Sequence, residues 1–265
     1  MKLFYQNTEN NFGDVLSREI SAALLRAPVQ WCSVKKADYV AIGSLMERVL
    51  KKRLRHFLLC NFRPLCIWGT GFIQPGGHYS SRFLEVFALR GALSLQRIKV
   101  NNPIVLGDPG LLSSKLFPQN TVENDTILLM PHLHDENSDA WIAAFRKLFP
   151  DRKIEILSLQ EDVQIILNKI ANAALVVSSA MHPLIVAHSY RTPTVWVELF
   201  GANTHSGGRY KFEDYYSVTG LAPRSILDRD ICSGKVARSD IEYLAETSII
   251  DDAHLSGSVA HCGQW

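Results

Sequence analysis

The sequence predicts an α/β protein built on parallel sheets, and three observations carry that expectation. Short apolar runs recur along almost the whole chain, and most of them lead into a helical pattern. The runs stop at Gly, His, Arg or Asp: KLFYQ before NTENNFGD, DYVAIG, LCIWG before TG, VFALRG, PIVLGDPG, TILLMPHLH, ALVVSSAMH and TVWVE. In parallel α/β sheets, ligands bind beyond the carboxyl ends of the strands. The polar residues gathered at those ends, Asp14, Arg90, Asp108, His132 and His182, are therefore expected to face one shared cleft.

The elements follow in order. Strand 2–6 feeds a loop, and VLSREISAALLR is a helix whose apolar positions are Val15, Leu16, Ile20, Ala23 and Leu24. Strands are expected near 38–43, 64–69, 86–90 and 103–107. A seam lies at FPQNTVEND (117–125), which has Pro, Asn and Asp and no periodicity. It divides an expected N-terminal domain, 1–118, from a C-terminal domain, 119–265. The second unit begins with strand TILLMPH, helix SDAWIAAFRKLF and strand KIEILSL. It continues with helix EDVQIILNKIANA, strand ALVVSS, helix PLIVAHSYR and strand TPTVWVE. Both units alternate β and α, so right-handed crossovers are expected. Two such units facing each other make a cleft, the usual place for a transferase site. The tail from Ser248 is polar and is expected to be loosely held.

Bulk properties exclude several classes. A length of 265 residues suits one large or two small domains. A net charge of +2 argues against a general nucleic-acid binder, which carries a strong basic excess. The five cysteines (Cys32, Cys60, Cys66, Cys232, Cys262) are odd in number and lack Cys-x-x-Cys spacing, so reduced thiols in a cytoplasmic protein are expected. MKLFYQN runs straight into a strand, so no signal peptide is expected. No apolar run approaches the roughly 18 residues that span a bilayer.

Several constellations could carry chemistry. Asp14, in Asn10-Asn11-Phe12-Gly13-Asp14, is either a helix N-cap or an exposed carboxylate that meets a substrate hydroxyl. Gly69-Thr70-Gly71 and Gly107-Asp108-Pro109-Gly110 are tight strand-end loops that either hold an anion on backbone N–H groups or serve geometry alone. Arg90 ends a strand, where its fork could clamp phosphate or carboxylate; the plainer reading is a surface arginine. Arg209 and Lys211 add cations on a glycine-hinged loop, or else a solvated charge run. In Ser178-Ser179-Ala180-Met181-His182-Pro183, Pro183 reads as the first helical position, which puts His182 at a helix start. Histidine suits general acid work near neutral pH, although a lone histidine is more often structural. His132 and His134 fall on one face of a strand. With no third ligand in view, they read as polar contacts rather than a metal pair. RVLKKRLRHFLLCNFR (48–63) carries six Lys/Arg among apolar residues. It is either an ordinary crossover helix with a solvated side or a basic amphipathic helix that lies on an anionic membrane.

Taken together, these segments resemble the polysaccharide pyruvyl transferase family. The matching pieces are Asn11-Phe12-Gly13-Asp14, Gly69-Thr70-Gly71, Ala88-Leu89-Arg90-Gly91 and Gly107-Asp108-Pro109-Gly110-Leu111-Leu112, then the Ser-Ser…His segment 178–182 with Ala187-His188-Ser189-Tyr190, and Lys211-Phe212-Glu213-Asp214-Tyr215-Tyr216. They occur in family order over roughly residues 7–216. The resemblance implies two Rossmann-like domains facing a cleft, of glycosyltransferase B type. It further implies phosphoenolpyruvate as co-substrate, a sugar diol of a polysaccharide or its lipid-linked precursor as acceptor, a cyclic pyruvate ketal as product, and no cofactor or metal. His182 would be the acid and Asp14 the acceptor of hydroxyl protons. Arg90, with Arg209 or Lys211 and with Ser178 and Ser179, would hold the donor. Asn11, Gly71, Asp108, His132 and His134 would line the cleft or acceptor side. Where many members read Ser-Ser-Arg-Leu-His-Gly, this chain has Ala180 in place of the arginine and Pro183 in place of the glycine. The resemblance also implies a cytoplasmic protein, with the 48–63 helix as its route to the inner face of a membrane. A nucleotide-sugar glycosyltransferase, with Glu198 as the ribose-binding group, and a non-catalytic glycan or lipid-surface binder remain as rival readings.

Overall fold

A computed structural model describes residues 1–7, 11–122, 124–135, 138–199 and 208–250. The first half carries strands β1 (Lys2–Phe4), β2 (Gln30–Trp31), β3 (Tyr39–Val40), β4 (Leu65–Trp68), β5 (Tyr79–Ser80), β6 (Leu84–Leu89), β7 (Ile98–Lys99) and β8 (Val105–Leu106). Its helices are α1 (Phe12–Leu25), α2 (Met46–Leu59), α3 (Ala92–Gln96) and α4 (Ser113–Leu116). The second half carries β9 (Ile127–Met130), β10 (Ile154–Ile156), β11 (Leu175–Ser178), β12 (Thr194–Glu198) and β13 (Ser225–Leu227). Its helices are α5 (Ser138–Leu148), α6 (Val163–Ala171), α7 (Met181–Tyr190), α8 (Tyr210–Tyr216), α9 (Asp228–Cys232) and α10 (Arg238–Glu246).

Two parallel sheets result, ordered β2-β1-β3-β4-β6-β8 and β10-β9-β11-β12-β13, with a small parallel pair β5-β7. Strands β9 and β11 are buried at every position, as parallel strands covered on both faces must be. Helix α1 turns Phe12, Leu16 and Ile20 inward at four-residue spacing. Burying each of these side chains stabilises the fold by roughly 1.5–3 kcal/mol. The two halves share one core: Leu3, Phe12, Leu16 and Ile20 pack in the same cluster as Leu128, Met130, Ile166 and Ala180. The Phe12 N–H donates to the Leu159 carbonyl at 2.8 Å across the same junction.

Two helix starts differ from the sequence reading. Helix α1 begins at Phe12 rather than Val15, because Asn11 is extended and its Oδ1 accepts the Gly13 N–H at 3.4 Å. Asp14 is therefore a first-turn residue and not the cap. Helix α7 begins at Met181, so Pro183 stands third; an N–H is still not required there, and the proline is tolerated. Ser248, read as the start of a loose tail, is held: its hydroxyl accepts the Thr194 N–H at 2.7 Å. Residues 251–265, with Cys262, lie outside the described residues. Cys32, Cys60, Cys66 and Cys232 are free thiols. Among the described residues, no helix is long and apolar enough to cross a membrane.

Candidate active site

Three helices of the two sheets begin at one cavity of about 270 Å³. Its walls follow strand ends: Gln6, Asn11, Gly13 and Asp14 after β1, Gly43, Ser44 and Leu45 after β3, and Ile73 after β4. Opposite them stand His132 and His134 after β9, Leu159 after β10, and Ala180, Met181, His182 and Pro183 after β11, with Lys211 from α8. The starts of α1, α2 and α7 thus converge, and each brings the positive end of a helix dipole. The α1 start is internally capped. The α2 N–H groups of Leu45 and Met46 go to Thr70 Oγ1 and the Gly71 carbonyl. Among the described residues no side chain caps α7, whose first residues Met181, His182 and Pro183 line the cavity.

Two titratable groups on the second-half wall, His182 and Lys211, have their pKa values lowered. His182 is half-buried and flanked by cations. Desolvation first, then Lys211 and Arg90, push its pKa down to about 3, so the imidazole is neutral. Its Nε2 is buried with no hydrogen-bond partner. Lys211 is lowered to about 8 by desolvation, with Arg90 adding repulsion. Its ammonium lies 5.3 Å from the Phe212 ring centre and has no carboxylate partner among the described residues. On the facing wall, Asp14 Oδ1 accepts the Gln6 N–H at 3.2 Å. The His132 and His134 rings stand 5.6 Å apart, and the His134 N–H donates to His132 Nδ1 at 3.2 Å. Both lie in the loop beyond β9 rather than on a strand face. No group of three or more metal-ligating side chains occurs among the described residues.

Several residues expected at the site lie behind it. Arg90 does not point into the cleft. It is fully buried, and its fork is engaged with Asp214 Oδ2 (2.9 Å), Ser44 Oγ (2.5 Å) and the Phe72 carbonyl (2.5 Å). A guanidinium so occupied has no fork to offer a ligand, though its charge depresses both His182 and Lys211. Arg209 is turned outward to Glu198, Glu213, Ser225 and the Pro223 carbonyl, because two carboxylates flank it on β12 and α8. Ser178 donates to the Met130 carbonyl at 2.6 Å and accepts the Ala180 N–H at 3.0 Å. Ser179 accepts the His132 N–H and donates to Asp135, both at 2.9 Å. These two serines shape the loops that carry His132 and His182. Asp108 is buried under a short turn and caps Gly110 at 2.8 Å; burial raises its carboxyl to about 6. Gly71 lies against the Arg90 fork: a Cβ there would stand 2.6 Å from Nη2. The sequence reading missed Ser44, which sits at the cavity and touches Arg90, and the anchoring role of Asp214. Ser44 follows a glycine at a strand end, the one signal that could have marked it.

The fold class is Rossmann-like and glycosyltransferase-B-like. A solved structure described as "S. aureus MnaA-UDP co-structure" superposes with a TM-score of 0.55, covering 96% of this chain and 93% of that one at 11% identity. The model of the polysaccharide pyruvyl transferase family matches residues 3–199, and the chain belongs to that family. The uncharacterized protein L143 of Acanthamoeba polyphaga mimivirus is 30% identical over 166 residues, 58% of this chain. The chain spans about half the length of that relative, 55% of it.

Proposed function

We propose that the chain transfers pyruvate from phosphoenolpyruvate to a sugar diol of a surface polysaccharide or its lipid-linked precursor, forming a cyclic ketal and releasing phosphate. One observation carries the reading: a lysine, an imidazole and a helix start that have no carboxylate, hydrogen-bond or side-chain cap partner among the described residues share a cavity wall opposite a carboxylate. Family membership supports it. On this reading residues 1–118 and 119–265 are two domains and the cavity is the cleft between them.

Lys211 and the α7 N–H groups would hold the donor's phosphate and carboxylate. Ala180, where the family's arginine is missing, lines the same cavity, so Lys211 supplies the positive charge from another direction. Without donor, His182 is neutral and too weak an acid for the task. A trianionic donor a few ångströms away raises its pKa, and the ring takes up a proton on donor binding. The imidazolium then protonates the donor's methylene carbon, leaving a cationic centre at C2. An acceptor hydroxyl bonds to C2 and its proton passes to Asp14. The C2–O bond to phosphate breaks, and the neighbouring hydroxyl bonds to C2 to close the ring, its proton passing to His182, which is neutral again after the first step. His132, His134 and Asn11 would orient the diol. The scheme requires no metal or cofactor.

The rival nucleotide-sugar reading leans on Glu198, but that carboxylate already accepts from Arg209 and from Ser225 at 2.6 Å. Incubating the protein with phosphoenolpyruvate and lipid-linked oligosaccharide should release phosphate only when acceptor is present, with a new ketal methyl signal in the product. Acceptor-independent release, or sugar transfer from a nucleotide donor, contradicts the proposal.

A further inference from the structure

We infer that the outer face of α2 docks the protein on an anionic bilayer surface. The helix turns Met46, Val49, Leu50 and His56 inward, all at most 8% exposed. Its outer side carries Lys51, Leu54, Arg55, Leu58 and, past the helix end, Phe62, at three- and four-residue steps along one stripe, with Lys52 and Leu59 beside it. Leu54, Leu58, Leu59 and Phe62 are 53%, 57%, 53% and 68% exposed. Arg48, Lys51, Lys52, Arg55 and Arg63 are exposed too, and none of them makes an ion pair among the described residues. The single acid of the helix, Glu47, is engaged by Arg97 at 3.3 Å and by the Ile73 N–H.

The end of the helix is built to present an aromatic ring. Asn61 and Phe62 both take left-handed backbone, φ 53° and 61°. The Phe62 N–H closes on the Phe57 carbonyl at 2.9 Å, and the two rings meet edge-on at 5.5 Å. This is the outer, 6→1 bond of a Schellman-type stop, with asparagine where glycine is usual. A phenylalanine at positive φ is costly, and here that conformation leaves most of its ring in solvent. Phe57 is propped in turn by Phe83 at 4.7 Å, with the Arg82 guanidinium over that ring at 4.8 Å.

Leucine and phenylalanine interleaved with unpaired cations fit lipid headgroups above acyl chains. A polyanion such as nucleic acid would use the cations and leave the leucines wet. A two-fold contact with a second copy would set the same cations against each other. Leu45 at the cavity rim precedes the helix, and the stripe begins at Lys51, about 9 Å along the helix axis from it.

Vesicle co-sedimentation of the full chain tests this independently of donor chemistry. Binding to phosphatidylcholine vesicles containing phosphatidylglycerol is expected to exceed binding to phosphatidylcholine alone and to weaken with salt. Lys51→Gln with Lys52→Gln should weaken it roughly 30-fold at low salt. Leu58→Ser with Phe62→Ser should lower it on anionic vesicles while phosphate release with a soluble acceptor stays at wild-type level. Equal binding to both vesicle types, or binding untouched by both double variants, overturns the inference. So does a concentration-dependent dimer that the Leu58/Phe62 pair abolishes. Loss of activity with intact vesicle binding would count against the functional reading alone.

Discussion

Gly13 stands where the first helix meets the imidazole of His182. A Cβ added there would lie 2.1 Å from Nδ1, so any side chain must push the ring or the helix start aside. Gly13→Ala is expected to cut transfer by about 100-fold, since a displacement near 1 Å can cost that much, and to destabilise the fold by about 1–3 kcal/mol. Wild-type turnover in a folded variant would show that the contact does not position the ring. Asp108 makes a prediction in pH. Its carboxyl is raised from the ordinary 3.8 to about 6, chiefly by burial. The fold thus favours the protonated acid. That contribution is complete below pH 3.8 and is lost as pH rises through about 6. Asp108→Asn keeps an oxygen for the Gly110 N–H and removes the buried charge. Its Tm should exceed wild type at pH 8 and match it near pH 4; an equal offset at both pH values would refute the assignment.

At the scale of elements, α8 belongs to the second half by sequence and docks on α3 of the first. Asp214 accepts from Arg90, from the Ser94 N–H at 2.7 Å and from the Ser94 hydroxyl at 2.6 Å. Gly91 must be bare, since a Cβ would meet the Asp214 carbonyl at 1.7 Å. Asp214→Ala leaves a buried guanidinium uncompensated, which costs about 3–5 kcal/mol and about 10 °C in Tm. Arg90→Met with Asp214→Leu should be milder than either single change. A single Arg90→Ala that raised the donor KM without loss of stability would restore the clamp reading. These same residues show where sequence stops being informative. A strand-end arginine suits a ligand clamp and an interior latch equally well, and the carboxylate that decides between them lies 124 residues away. Arg209 was ambiguous for a similar reason: Glu198 and Glu213 flank it only after β12 and α8 pack together. The strand runs themselves were legible, because buried parallel strands are uninterrupted apolar stretches. Short pieces such as β2, β5 and β7 carry two residues each and leave no periodicity to read.

For the whole molecule, of the five strand-end residues expected to face one shared cleft, Asp14, His132 and His182 line one cavity and Arg90 and Asp108 do not. Asn11, His134 and Lys211 line that cavity too, whereas Gly71, Ser178, Ser179 and Arg209 do not. Strand direction fixes which end of the sheets bears the site, while depth below its surface depends on packing between the halves. The electrostatics also emerge only in three dimensions: a histidine at about 3 and a lysine at about 8 describe a desolvated wall whose cations repel further positive charge. Titration calorimetry with phosphoenolpyruvate, run at one pH in two buffers of different ionisation heat, tests that claim most directly. The expected result is binding with net proton uptake, with the uptake removed by His182→Gln and affinity lowered at least about tenfold by Lys211→Met. No binding of phosphoenolpyruvate, or binding indifferent to both substitutions, would contradict it.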